Sequence, residues 1–359
     1  MIQSHKTNRL GGYEHEYTEY DFTGNVLKHK KVHSAENRPS ITQIYCHTYD
    51  NEGRLITTTH SINGRPAVTL ANNEYDALGR ISADNRNGTT SLRTTYGYNV
   101  RSWLTSVSST LFSESLCYNQ ASGNALPRYG GDISSLSTTV LMDDSPETNG
   151  YRFTYDKASR LTQADYTGDA DWYSTSYSYD KNGNITSLTR KGPDAAGLPS
   201  YWDDLTMTYD GNRLLKVTDD APTLNTYNSM QFVDGHDYTT EFIYDQNGNL
   251  TKDYNRKISS VTYNLLNLPR KITVGNGFET ITYDINGKKL HTYTMPRTYA
   301  PDPVDTLIGP IGPAYPLTQT IRKGKLQQFS FVKDYCNGVI YSGNKVERIL
   351  VDGGYITFS

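Results

Sequence analysis

The residue types that could do chemistry here are scattered acids, eight histidines and three cysteines, and spacing decides what they can do. His15-Glu16 lacks a second histidine at the spacing of a zinc-binding helix and sits in strand-like sequence, so it reads as an exposed polar pair. Asp180-Lys181-Asn182-Gly183-Asn184 and Asp245-Gln246-Asn247-Gly248-Asn249 resemble calcium loops in part. They lack the terminal glutamate and an acid at every second position, and turn chemistry accounts for them. Asp143-Asp144, Asp203-Asp204 and Asp219-Asp220 read as solvated loops rather than a glycosidase pair, because adjacency sets side chains apart. Cys46, Cys117 and Cys336 are odd in number and far apart, which fits free thiols better than a disulfide framework or a zinc site. There is no Gly-x-Ser-x-Gly elbow and no phosphate-binding glycine loop. A hidden hydrolase would need residues from distant parts of the chain to converge. The expectation is no catalytic residue, no cofactor and no metal, and so no enzyme.

What recurs is a turn. Tyr20-Asp21 is followed by Gly24, Tyr49-Asp50 by Gly53, Tyr75-Asp76 by Gly79, Tyr179-Asp180 by Gly183, Tyr244-Asp245 by Gly248 and Tyr283-Asp284 by Gly287. Looser copies begin at Tyr98, Tyr118, Tyr155, Tyr209, Tyr263 and Tyr335. The acid at the first position of a type I turn accepts a backbone N–H two residues on, and glycine takes the left-handed position without a Cβ clash. A type I turn followed by a left-handed residue is a three-residue hairpin loop with a bulge. Asn267 should take the glycine's place with little strain, while Ser102 and Ser159 should distort their turns. Asp210-Gly211-Asn212-Arg213 is shortened and should turn more tightly.

The flanks alternate as strands do. Phe153-Thr154-Tyr155, Tyr177-Ser178-Tyr179, Phe242-Ile243-Tyr244 and Ile281-Thr282-Tyr283 precede turns, and Val26, Leu55, Ile81, Leu161, Ile185, Leu250 and Leu290 follow them. Tyrosine and aliphatic residue should share one face, with Thr, Ser and charges on the other. No helical period is sustained. The fold class expected is all-β, with antiparallel hairpins stacked into one long curved or spiralling sheet.

Composition agrees. Tyrosine (30) far exceeds phenylalanine (9), hydrophobic content is 35%, and mean hydropathy is −0.66. Tyrosine supplies buried area while keeping a hydroxyl for water or a partner, which suits a thin sheet with one wet face. The net charge of −3 comes without a Lys/Arg block, so nucleic acid is not an expected partner. No apolar run is long enough for a membrane helix, and the first dozen residues lack the apolar stretch of a signal peptide. Residues 1–295 read as the repeat array, 296–318 as a proline-rich surface loop, and 319–359 as terminal strands. Residues 120–149 should be a surface loop with one strand near 137–142. About 24 strands at about 4.8 Å would span on the order of 110 Å, an arc rather than a closed vessel.

The phrase Tyr-Asp-x-x-Gly-(Asn/Arg)-(Leu/Ile) resembles the signature of Rhs/YD-repeat proteins over most of the chain. Asp334-Tyr335-Cys336-Asn337-Gly338-Val339-Ile340-Tyr341, with the stretch from Glu347 to Ile356, is similar to the segment before the Rhs core in Bacteroidetes members. The resemblance implies a β-sheet spiralling into a hollow shell, shared in outline with toxin-complex C components and teneurins. In polymorphic toxins of that kind the shell encloses a C-terminal toxin, cut loose by aspartyl autoproteolysis. This chain stops at Ser359, where the core would begin, so a shell segment lacking core and toxin is expected. Asp302-Pro303 lies in the proline-rich stretch without the context of a cleavage site. The function implied is structural: to enclose or display a polypeptide, as part of a secreted or cell-surface bacterial system. The alternative is a carbohydrate-binding adhesion module using exposed tyrosines. Self-association through sheet edges is a further expectation.

Overall fold

The computed structural model describes residues 1–120, 125–142, 145–168, 172–194, 196–222, 231–295, 331–351 and 354–358. The protein is built of β-strands, and the helical turns among the described residues are two three-residue 3-10 segments, Arg86–Gly88 and Thr90–Leu92. A 17-stranded sheet holds β1 (Ile2–Thr7) through β17 (Arg213–Asp219), and a 10-stranded sheet holds β18 (Phe242–Tyr244) through β27 (Gly354–Thr357). The contacts also divide into two compact units, one centred on Met1–Thr240 and one on Glu241–Leu350. A single array was expected. The described residues between Asp219 and Phe242 form no strand, so the ladder stops there.

The registers join strands that follow one another in sequence, all antiparallel. The cause is local. Each strand ends in a turn that returns the chain beside itself, so no crossover is needed. The second sheet repeats the plan from β18 onward. The stretch expected to be mostly loop holds β11 (Ser135–Met142), as anticipated, and also the start of β12 (Ser145–Tyr155). Phe331–Cys336, Val339–Ser342 and Lys345–Val351 are strands in the terminal region, and the proline-rich stretch lies outside the described residues.

Cores are thin. In the first unit Ile41, Ala83, Ala164, Trp202, Leu205 and Val217 are buried, and in the second Phe242, Val261, Ile281, Val339, Tyr341 and Ile349. Polar cross-strand pairs line other positions. Hydroxyls meet between Thr48 and Thr57 (2.5 Å), Thr139 and Thr148 (2.9 Å), and Ser176 and Thr189 (2.6 Å), each pair directly opposed in register. Such pairs stabilise a face that cannot gain from apolar burial.

Candidate functional site

The repeated turn is built the same way each time. At Asp180 the carboxylate oxygen Oδ1 accepts the N–H groups of Asn182 (2.8 Å) and Asn184 (2.9 Å). The Gly183 N–H donates to the Asp180 carbonyl at 3.2 Å, and the Asp180 N–H to Asn184 O at 3.0 Å. The same pair of side-chain bonds recurs at Asp21, Asp50, Asp76, Asp156, Asp245 and Asp284. Asn99 and Asn264 do the same work with an amide oxygen, so the turn needs an acceptor rather than a charge. The closing glycines have φ between 77° and 93°. Asn267 takes the same region at 56°. Ser102 and Ser159 were expected to distort their turns and do not, taking φ of 61° and 58° with the loop hydrogen bonds intact. The Asx bonds over-determine the loop, and the strain stays in one residue. Asp210 faces Arg213 across Gly211-Asn212, the tighter turn anticipated.

Each turn is followed by a register shift that sets the tyrosine opposite a chosen residue. Tyr20 faces Val26, Tyr49 Leu55, Tyr75 Ile81, Tyr179 Ile185 and Tyr244 Leu250, so ring and aliphatic share a face. In the copy at Tyr283 the partner is Lys289 and not Leu290, which falls in the slipped position.

The phenol then reaches to the preceding hairpin. Tyr49 donates to Val26 O (2.9 Å), Tyr75 to Leu55 O (2.8 Å), Tyr98 to Ile81 O (2.9 Å) and Tyr118 to Leu104 O (2.7 Å). Tyr155 donates to Ile133 O (2.8 Å), Tyr179 to Leu161 O (2.7 Å), Tyr209 to Ile185 O (2.8 Å) and Tyr263 to Leu250 O (2.6 Å). These carbonyls lie where the ladder between hairpins has stopped: β3 (Val26–His33) and β4 (Ile41–Tyr49) pair last at Lys28 and Cys46. The hydroxyl satisfies a main-chain acceptor beyond the end of the backbone ladder between hairpins, shared at Leu55 O with the Asn73 amide. Phenylalanine could not do this, which accounts for tyrosine at these eight positions. Burial raises the pKa of the Tyr49, Tyr155, Tyr179 and Tyr263 phenols, which keeps them donors.

A cation completes the clamp. Arg54 lies over the Tyr75 ring at 4.7 Å from its centre, Arg80 over Tyr98 at 4.6 Å, Arg128 over Tyr155 at 4.9 Å and Arg160 over Tyr179 at 4.7 Å. Arg54, Arg80 and Arg160 also bind the Oδ2 of their own turn's aspartate at 2.6–2.7 Å. Arg80 Nη1 donates to Asn99 O (3.2 Å) and Arg160 Nη1 to Asp180 O (3.0 Å), the carbonyl that opens the next turn. Hydrogen bonds from Arg80 hold the Asp76 carboxyl below the usual range, and the Arg160 N–H groups do so for Asp156. Burial pushes Asp50 up, but the bonds and charge of Arg54 prevail and its pKa is lowered. At Asp21 the Thr23 hydroxyl leads, burial opposes it, the Asn25 amide and backbone add to it, and the pKa falls to about 2. The sequence reading placed Asn or Arg after the glycine without assigning it work. The signal was there, because positions 25, 54, 80, 160, 184 and 249 all carry side-chain donors.

Other acids behave differently. Asp203 and Asp204 are not in a solvated loop but in the strand Pro199–Asp210, where Asp203 is 1% exposed and bonded to the Arg190 guanidinium and the Phe232 N–H. Asp219 ends β17 and accepts the N–H groups of Asp204 and Ala221, while Asp143-Asp144 lies outside the described residues. Asp194 builds the same Asx loop with Ala196, Gly197 and Leu198 but without a tyrosine, a copy the sequence reading missed. His15 stacks on Tyr17 and meets His5 at 2.9 Å, on β2 (Tyr13–Tyr20) and β1. Cys46, Cys117 and Cys336 are not joined in disulfides.

With this geometry in view, the chain can be set beside known proteins. No protein-family model matches it, and no curated protein does. The crystal structure of TcdB2-TccC3-TEV aligns over 94% of this chain and 17% of that one, with TM-score 0.55 and 12% identity. The likeness is one of fold. The Photorhabdus luminescens Tc holotoxin pore aligns over 94% of this chain and 15% of its own, at 14% identity and TM-score 0.48. This chain therefore spans less than a fifth of the length of either protein.

Proposed function

We propose that this chain is a non-enzymatic structural module, a segment of an Rhs-type β-shell that encloses or displays a polypeptide such as a toxin. One observation carries the reading. The repeated residues direct their chemistry at the next hairpin: aspartate at the loop, arginine at aspartate and ring, phenol at a carbonyl. Groups engaged in joining repeats build a wall rather than a reaction centre. The shared fold with part of TcdB2-TccC3-TEV supports it, and so does the phrase resembling Rhs/YD repeats. The partner expected is the remaining shell or a core-and-toxin polypeptide, acting in a secreted or surface system. Carbohydrate stacking has less support, because the rings of Tyr75, Tyr98, Tyr155 and Tyr179 each carry a guanidinium.

Co-expression with Rhs core-and-toxin polypeptides encoded near this chain, where such are found, tests the proposal. Co-purification as a stoichiometric complex is expected. A chain that stays alone beside every neighbouring product would overturn the shell role.

A further inference from the structure

The groove between successive turns is closed at several places by an arginine from the first turn. Arg54, Arg80 and Arg160 close theirs as described, and Arg128 lies over Tyr155 in the same manner. Two asparagines span the gap more briefly. Asn184 Nδ2 reaches Gly211 O and Asn212 Oδ1, both at 3.2 Å, and Asn249 Nδ2 reaches Asn267 Oδ1 at 3.1 Å. Asn25 does neither. Like Asn184 and Asn249 it bonds its own turn's aspartate, Asp21 Oδ2 (3.0 Å), and also Thr23 Oγ1 (2.8 Å), but its amide stops beside Gly53 without a hydrogen bond to the next turn.

A groove of about 610 Å³ therefore lies open between the turns at Asp21 and Asp50, with Phe22, Asn25, Tyr49 and Glu52 among its walls. Its parts match those that hold a guanidinium elsewhere in the sheet. The Tyr49 ring is fixed by its phenol on Val26 O, and among the described residues no cation lies over it. The Asp50 carbonyl stands where Asn99 O and Asp180 O receive Arg80 and Arg160. Asp21 presents a carboxylate whose Oδ2 accepts only the Asn25 amide among the described residues, and Glu52, paired with Arg54 Nη2 at 3.1 Å, adds negative charge at the wall. Phe22 projects fully exposed at the rim, and Leu27 is partly exposed beside it. An aliphatic stem could lie along both.

We propose that this groove binds the arginine side chain of a partner polypeptide, its guanidinium over Tyr49 and bonded to the Asp50 carbonyl and Asp21. Arginine is favoured over lysine because a planar guanidinium stacks on a ring while donating at its edge. The inference rests on the chain's own repeats and stands independently of the shell reading.

Saturation-transfer NMR on the full chain tests it, with Ac-Gly-Arg-Gly-NH2, Ac-Gly-Lys-Gly-NH2 and free arginine as probes. A saturable signal is expected for the arginine peptide. It should be at least about threefold weaker for the lysine peptide, which cannot stack and bond at once. Free arginine should also bind more weakly, since its carboxylate meets Asp21 and Glu52. Asn25→Arg should fill the groove, abolish the signal and raise the unfolding temperature. Tyr49→Leu should lose the signal and Tyr49→Phe should keep it, with thermal unfolding showing which variants are folded. No saturable signal, equal response to lysine, tighter binding of free arginine, or an unchanged titration in folded Asn25→Arg or Tyr49→Leu would overturn the proposal.

Discussion

Arg160 lies 4.7 Å above the centre of the Tyr179 ring, although the two residues belong to different hairpins. The same tyrosine donates its phenol to Leu161, the residue after that arginine, at 2.7 Å. Ring face and hydroxyl of one side chain thus hold two successive residues at the exit of a neighbouring turn. The stability of the sheet should depend on both bonds separately.

Tyr179→Phe removes the hydroxyl and keeps the ring, leaving the Leu161 carbonyl without its donor. The expected loss is about 1 kcal/mol, a fall of about 2–4 °C in unfolding temperature. Tyr129→Phe is the control, because Tyr129 is 66% exposed, and should change nothing measurable.

The contribution of the guanidinium is a coupling and is best read from a double-mutant cycle. Arg160→Lys and Tyr179→Leu, singly and together, should show an interaction of about 0.5–1 kcal/mol in urea unfolding. Additive effects would mean that the ring and the cation act independently.

Turn backbones give substitutions of opposite sign. Gly248 has φ 84° with open space around its Cβ direction, so Gly248→Ala should destabilise by about 1 kcal/mol through strain alone. Lys257 is an exposed residue at φ 58°, and Lys257→Gly should stabilise by a similar amount, about 1 kcal/mol. Equilibrium unfolding of both variants checks the pair.

Acid should loosen the turns. Hydrogen bonds lower the folded-state pKa of Asp21 to about 2, against the ordinary value of 3.8. The stabilisation from this carboxylate is complete above the ordinary value and disappears as pH falls through the folded one. Thermal unfolding followed from pH 5 to pH 2 should therefore drop most steeply at its acid end. Asp21→Asn should flatten that slope while keeping the loop, since Asn99 and Asn264 close theirs with an amide.

Much of this was written in short-range terms. The Asx acceptor at Asp180, the left-handed Gly183 and the alternation into Tyr179 act within a few residues, so sequence determined the turns, the strands and the all-β class. It also marked Tyr49, Asp50 and Gly53 as one unit before any partner was known. Ser102 and Ser159 were misjudged because local preference weighs a strained residue alone, whereas the loop's hydrogen bonds hold it in place. Only tertiary structure decided which carbonyl each phenol meets, that Asp203 is buried against Arg190, and that the strands divide between two sheets. Those contacts join residues on different strands, and register places them. A sequence records a tyrosine's chemistry; the packing of one hairpin beside the previous one determines that the Tyr179 hydroxyl lands on Leu161.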